Sequence, residues 1–134
     1  MLEYYITKWN VGAKNGKPKK KYVARLHRMP VLRRNDLAKR VELNSCVTSP
    51  MVQLVWDETL EVTKDMLQSG TPVQIGGFGT IELSLRSKSY DNPDEITFKS
   101  IQNVEIIFKP SVELKEVLTD LNYRKVINKN LEKE

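Results

Sequence analysis

The chain has 134 residues, enough for one domain and an appendage, and is 40% hydrophobic but only 7% aromatic, so its core must be largely aliphatic. Its single cysteine, Cys46, and single histidine, His27, exclude an intramolecular disulfide and a Cys/His metal cluster, and no run of about eighteen apolar residues offers a transmembrane helix. The net charge of +5 is unevenly placed: residues 1–40 hold twelve of the 22 basic residues against two acids, net +10, and residues 41–134 are net −5, an asymmetry that points to a polyanionic partner.

Residues 3–9 alternate, with Tyr4, Ile6 and Lys8 on one side and Tyr5, Thr7 and Trp9 on the other. Residues 22–28 do the same, with Tyr22, Ala24 and Leu26 against Val23, Arg25 and His27. Turn formers fill the interval, so the pattern predicts a β-hairpin with a mobile basic tip, Lys17-Pro18-Lys19-Lys20-Lys21. Asn35 is placed to cap a short helix over 36–44, with Leu37, Ala38 and Val41 as its apolar stripe. A bend at 44–48 follows, in which Cys46 reads as a small buried apolar residue. Ser49 as N-cap and Pro50 at N1 open a longer helix. Val52, Val55, Trp56, Thr59, Val62 and Met66 recur there at three- and four-residue steps, widened by Leu54, Leu60 and Leu67. A face this broad needs more than one partner and fits a dimer core. Asp57, Glu58, Glu61 and Asp65 form one solvated stripe and no metal site.

Gly70 is placed to end that helix in a left-handed cap. Val73 and Ile75 predict a short strand and residues 80–86 a second. Between them Gly76-Gly77-Phe78-Gly79 predicts a sharp turn, with Phe78 plugging a core. Residues 87–95 read as a polar loop or arm, with Ile96-Thr97-Phe98 as its return. Residues 104–108 predict a firm strand. Pro110 stops it and opens a last helix at N1, with Leu114, Val117, Leu118 and Leu121 apolar. Val126 and Ile127 suggest a short docking segment, and residues 128–134 are expected to fray. No nucleophile–base pair appears, and the glycine run lacks the spacing and lysine of a P-loop. The chain is therefore not expected to be an enzyme. The N-terminus lacks the basic start and apolar centre of a signal peptide, so a cytoplasmic protein is expected.

The order helix, helix, strand, strand, arm, strand, helix over residues 34–121 resembles the bacterial histone-like HU/IHF family. Gly76-Gly77-Phe78-Gly79-Thr80 is similar to the family's signature turn. Val104 to Leu118, with Phe108-Lys109 and Leu114-Lys115, is similar to its final strand and helix, and Asn92-Pro93 sits where the family has its arm tip. An N-terminally extended HU-like group of Bacteroidetes is similar over nearly the full length. The resemblance implies an α+β fold: two N-terminal helices, a three-stranded antiparallel sheet with a β-arm, a C-terminal helix, and an added N-terminal β-hairpin, in an intertwined dimer. Its divisions would be a basic hairpin extension (1–33), an HU/IHF-like DNA-binding domain (34–121) and a C-terminal tail (122–134).

The resemblance also implies a mechanism. A homodimer, or a heterodimer with a paralogue, would hold duplex DNA in the nucleoid largely without sequence specificity. Pro93, beside Asn92, would wedge between base pairs. Arg86, Lys88 and Lys99 would flank the arm, and Lys109, Lys115 and Arg34 would face phosphates. Lys17, Lys19, Lys20 and Lys21 of the hairpin would add charge that the arm lacks, because Asp91, Asp94 and Glu95 surround Pro93. The amides of Gly77–Gly79 would offer a further phosphate site. The alternative is an HU-fold structural or protein-interaction module without DNA bending. No cofactor, metal, membrane or small-molecule substrate is implied.

Overall fold

The computed structural model describes residues 1–12, 16 and 19–127. Lys17 and the tail expected to fray lie outside these. The chain divides into two compact units, Met1–Val31 with Val117–Glu134, and Leu32–Glu116.

In the first unit, the alternating aromatic and β-branched residues of the N-terminal segment form strand β1 (Leu2–Val11), antiparallel to β2 (Lys19–Leu26). Tyr4 faces Leu26, Thr7 faces Val23 and Trp9 faces Lys21 across the ladder. The second strand begins at Lys19, not 22, so Lys19, Lys20 and Lys21 belong to a strand and not to the tip expected for them. The third strand comes from the far end of the sequence. Strand β6 (Tyr123–Lys125) runs parallel to β1, with Leu2 beside Tyr123. Leu2 N–H donates to Asn122 O at 2.7 Å, Val126 N–H to Tyr4 O at 2.8 Å, and Arg124 pairs with Glu3.

The second unit opens with helix α1 (Arg34–Asn44), capped by Arg33 through backbone alone, so Asn35 lies inside the helix and is not its cap. Helix α2 (Ser49–Gln68) likewise starts one residue before expectation, with Thr48 at the cap and Pro50 in the first turn. Ser45 Oγ donates to Val41 O at 2.7 Å and Glu42 accepts from Ser49 N–H at 3.2 Å, fixing the bend between the helices. Cys46 in this bend is exposed and not the buried apolar residue expected there. Helix α2 ends as expected at Gly70, whose φ is +79°. Gly70 N–H donates to Leu67 O and Thr71 N–H to Met66 O, satisfying the last carbonyls in a Schellman arrangement.

Strands β3 (Val73–Ile75), β4 (Gly79–Ser87) and β5 (Ile101–Pro110) make an antiparallel sheet in the order β3-β4-β5. Ile81, Leu83 and Leu85 share one face with Phe108, Ile106 and Val104. The ladder slips between Arg86 and Ser87 and ends at Ser87–Ile101. Beyond it, among the described residues, no paired arm exists. Residues 93–95 and 98–100 are single 3₁₀ turns, and Ile96-Thr97-Phe98 is no returning strand. Ser100 is buried, accepts from Lys88 N–H through its carbonyl at 3.0 Å, and accepts from Thr97 N–H through its hydroxyl at 3.1 Å. These bonds close the loop on itself where an arm would extend.

Pro110 is the last residue of β5. Ser111 caps α3 (Val112–Lys115), accepting from Leu114 N–H at 3.0 Å, so the helix starts two residues later than expected. It passes into a 3₁₀ turn over Glu116–Leu118 and stops well short of Leu121.

Burial is sparse. Among the described residues, Ala38, Val52, Thr63, Gly79 and Ser100 are the buried set, and no large apolar side chain is fully enclosed. Phe78, expected to plug a core, is 63% exposed.

Candidate nucleic-acid interface

Charge follows the division into units. The first unit holds twelve basic and four acidic residues, net +8; the second holds ten basic and thirteen acidic, net −3. The hairpin ladder then sorts the basic residues by face, because side chains alternate along a strand. Trp9, Tyr5 and Thr7 on β1 share a face with Lys21, Val23 and Arg25 on β2. Tyr4 and Ile6 share the other with Tyr22, Ala24 and Leu26. Lys20, opposite Asn10, lies on this second face, so Lys20 and Lys21 point to opposite sides of the sheet.

On the first face the Arg25 guanidinium lies 5.6 Å from the centroid of the Trp9 ring, within cation–π range. Tyr5, Arg25, Leu26, His27 and Arg28 line an open cleft of about 580 Å³ beside them. The sequence pattern had put Trp9 and Arg25 on definite sides of their own strands. It could not pair them, since only the ladder register decides which sides coincide.

In the second unit the expected contact residues fall into two groups. Arg86 ends the polar side of β4, Lys88 follows it and Lys99 lies in the turn that closes the loop, so these three exposed cations gather near the loop's base. Asn92 and Pro93 occupy the far part of that loop. Asn92 Oδ1 accepts from Asp94 N–H at 3.2 Å and Pro93 opens a 3₁₀ turn. Asn-Pro here caps a turn; it does not tip a two-stranded arm. Asp91, Asp94 and Glu95 around it are exposed.

The second group is compensated or distant. Arg34 donates to Asp57 Oδ1 at 2.6 Å and to Gln53 O at 3.0 Å, and lies 5.9 Å from the Trp56 ring centroid. It fastens α1 to α2. Lys109 Nζ is 2.6 Å from Glu82 Oε1. Lys115, exposed on α3, has no ionic partner among the described residues.

The glycine turn does not offer the anion cradle expected of it. Phe78 N–H donates to Ile75 O at 3.0 Å, and Ser111 N–H donates to Phe78 O at 2.9 Å. Ser111 Oγ also bonds Gly77 O, and the Glu113 carboxylate stands over Gly77, where its Oε2 would lie 2.6 Å from an added Cβ. A carboxylate there repels phosphate. Gly79 explains the glycine at its own position: its φ is +153° and an added Cβ would lie 2.2 Å from Lys109 O.

A family model for an HU domain fused to a winged helix-turn-helix, an immunoglobulin-like or a glycine-rich motif, HU-HIG, matches residues 1–125. The chain belongs to the HU-HIG family. The match spans the N-terminal hairpin, the helices and both sheets of this HU-HIG chain. Its fold is also similar to a crystal structure of a candidate DNA-binding protein from Bacteroides vulgatus, at 13% identity and a TM-score of 0.64. That alignment covers 93% of this chain and 47% of the other, so the chain spans about half the length of that relative. An Anabaena HU–DNA cocrystal structure aligns at 20% identity and a TM-score of 0.49, over 66% of this chain and 98% of that one. No curated protein matches. Among the described residues, no helix is long and apolar enough to cross a membrane, and no group of His, Cys, Asp or Glu is placed to hold a metal ion.

Proposed function

We propose that this HU-HIG chain binds duplex DNA through phosphate contacts, largely without sequence specificity, as a nucleoid protein. The observation that carries the reading is the +8 charge of the N-terminal unit. Duplex DNA is the polyanion for which a basic surface on an HU-domain protein is suited, and neutralising its phosphates releases condensed counterions. The contacts proposed are the hairpin lysines Lys17, Lys19, Lys20 and Lys21, the cluster Arg86, Lys88 and Lys99, and Lys115. Arg34 and Lys109, each already paired with a carboxylate, contribute less. Pro93 as a wedge has no paired arm to carry it, so bending is not part of this reading.

The active species is a homodimer. Met51, Val55, Val62 and Met66 form an exposed stripe along α2, while Val52, Trp56 and Leu67 serve the chain's own packing. An apolar stripe on a helix this long is covered in a stable protein. Leu83, Leu85, Val104 and Ile106 on the sheet are exposed as well.

A second reading has its own support. The closed loop, its three carboxylates and the net −3 of the second unit fit an HU-fold module that binds protein. A duplex titration at two salt concentrations, beside a Lys17/Lys19/Lys20/Lys21→Ala variant, separates them. Affinity that falls steeply with salt and with the variant is expected. Absence of binding at low salt would hand the function to a protein partner.

A further inference from the structure

One face of the N-terminal sheet carries more than phosphate binding requires. Trp9 is 49% exposed, with the Arg25 guanidinium 5.6 Å from its ring centroid and Lys21 directly across the ladder. A large flat apolar ring left open among cations matches a ligand that is both planar and anionic. The face continues past Tyr5 into the cleft bordered by His27 and Arg28. From Lys21 to Arg25 this track runs roughly 13 Å at about 3.3 Å per residue.

We propose that this face is a stacking platform for single-stranded DNA. An unpaired base lies on the Trp9 indole, its flanking phosphates meet Lys21 and Arg25, and the strand continues along Tyr5 toward Arg28. Arg25 holds the ring in orientation before the base arrives. A base in an intact duplex is stacked on its neighbours and cannot use the platform, so the ligand is a gap, an end or a displaced strand. An acidic polypeptide would satisfy the cations but leave the indole open. This inference rests on the DNA-binding reading and adds a base-stacking site to it.

The test compares three fluorescent probes by anisotropy: an oligo(dT) of about twelve nucleotides, an abasic strand of the same length, and a duplex. The abasic strand has the phosphates without the bases. Wild-type protein should prefer oligo(dT) over the abasic strand by about 5- to 150-fold, the range for one stacked base. Trp9→Ala should abolish that preference while keeping abasic and duplex binding within about twofold, which also reports that the variant is folded. Trp9→Tyr should restore most of it. Crosslinking of iodouridine-substituted oligonucleotide to wild-type protein should map to Trp9, a readout independent of any variant. Equal affinity for oligo(dT) and the abasic strand, with the duplex still bound, would overturn the platform and leave DNA binding standing. Poly-glutamate competing as well as oligo(dT) would also overturn it. Failure to bind any probe at low salt would overturn both readings.

Discussion

Arg34 and the pair Lys20/Lys21 should separate cleanly when each is replaced by alanine. The guanidinium of Arg34 is held by Asp57 at 2.6 Å and Gln53 O at 3.0 Å and lies beside Trp56, so its charge is committed to joining two helices. Its ion pair is about half exposed, at 47% and 56% for the two side chains, and such pairs contribute at most about 1 kcal/mol. The ring contact adds about 0.5 kcal/mol at an exposed site. Arg34→Ala should therefore cost about 1 kcal/mol, a fall in Tm of about 3–5 °C for a chain of 134 residues. The salt dependence of duplex binding should not change. Lys20 and Lys21, exposed on opposite faces of the hairpin, should behave in reverse. Each phosphate contact contributes about 0.9 to the slope of log K against log salt, so losing both lowers the slope by about 1.8. Between 50 and 200 mM salt, the double variant's affinity should fall about twelvefold less than wild type's. Anisotropy titrations across that range, with thermal denaturation of each protein, measure both quantities. An Arg34→Ala protein with unchanged Tm and a slope reduced by about 0.9 would put Arg34 on the DNA and refute the reasoning.

Gly79→Ala should destabilise the second unit by about 3 kcal/mol or more, because it combines a backbone region reserved for glycine with a Cβ placed 2.2 Å from Lys109 O. Gly76→Ala, at φ +44° with open space around it, should cost only about 1 kcal/mol; chemical denaturation ranks the two. Sedimentation equilibrium at micromolar concentration should give about twice the 15.5 kDa chain mass, and Val55→Glu with Val62→Glu should remove the dimer. A wild-type monomer would contradict the covered-stripe argument.

The sequence pattern was most legible where one local rule dominates. Gly70 announced the end of α2 because its left-handed φ suits a residue without a β-carbon, and the hairpin strands announced their faces because side chains alternate with period two. Cap positions drifted by a residue or two where several polar residues stand together, as at Arg33–Asn35 and Thr48–Ser49. Ser111 displaced Pro110 at the last helix because its hydroxyl could meet both Leu114 N–H and Gly77 O. The larger differences come from partners distant in sequence. Nothing near Arg34 advertises Asp57, and nothing near Lys109 advertises Glu82. The stretch 88–100 shows the same limit: its polar composition suits an arm or a folded loop equally, and the Ser100 bonds to Lys88 and Thr97 decide between them.

The parallel seam between β1 and β6 sets an order on synthesis. Strand β1 leaves the ribosome before its neighbour β6, with the helices and the other sheet made in between. Until residue 123 emerges, the nascent N-terminal unit is a two-stranded hairpin, which is marginally stable in water. Contacts this remote in sequence form slowly, because a long loop must close before they contribute. The helical unit can therefore fold on the ribosome while the basic hairpin is still incomplete. A ribosome stalled before Tyr123 would then present a folded second unit joined to an unfinished, strongly cationic hairpin.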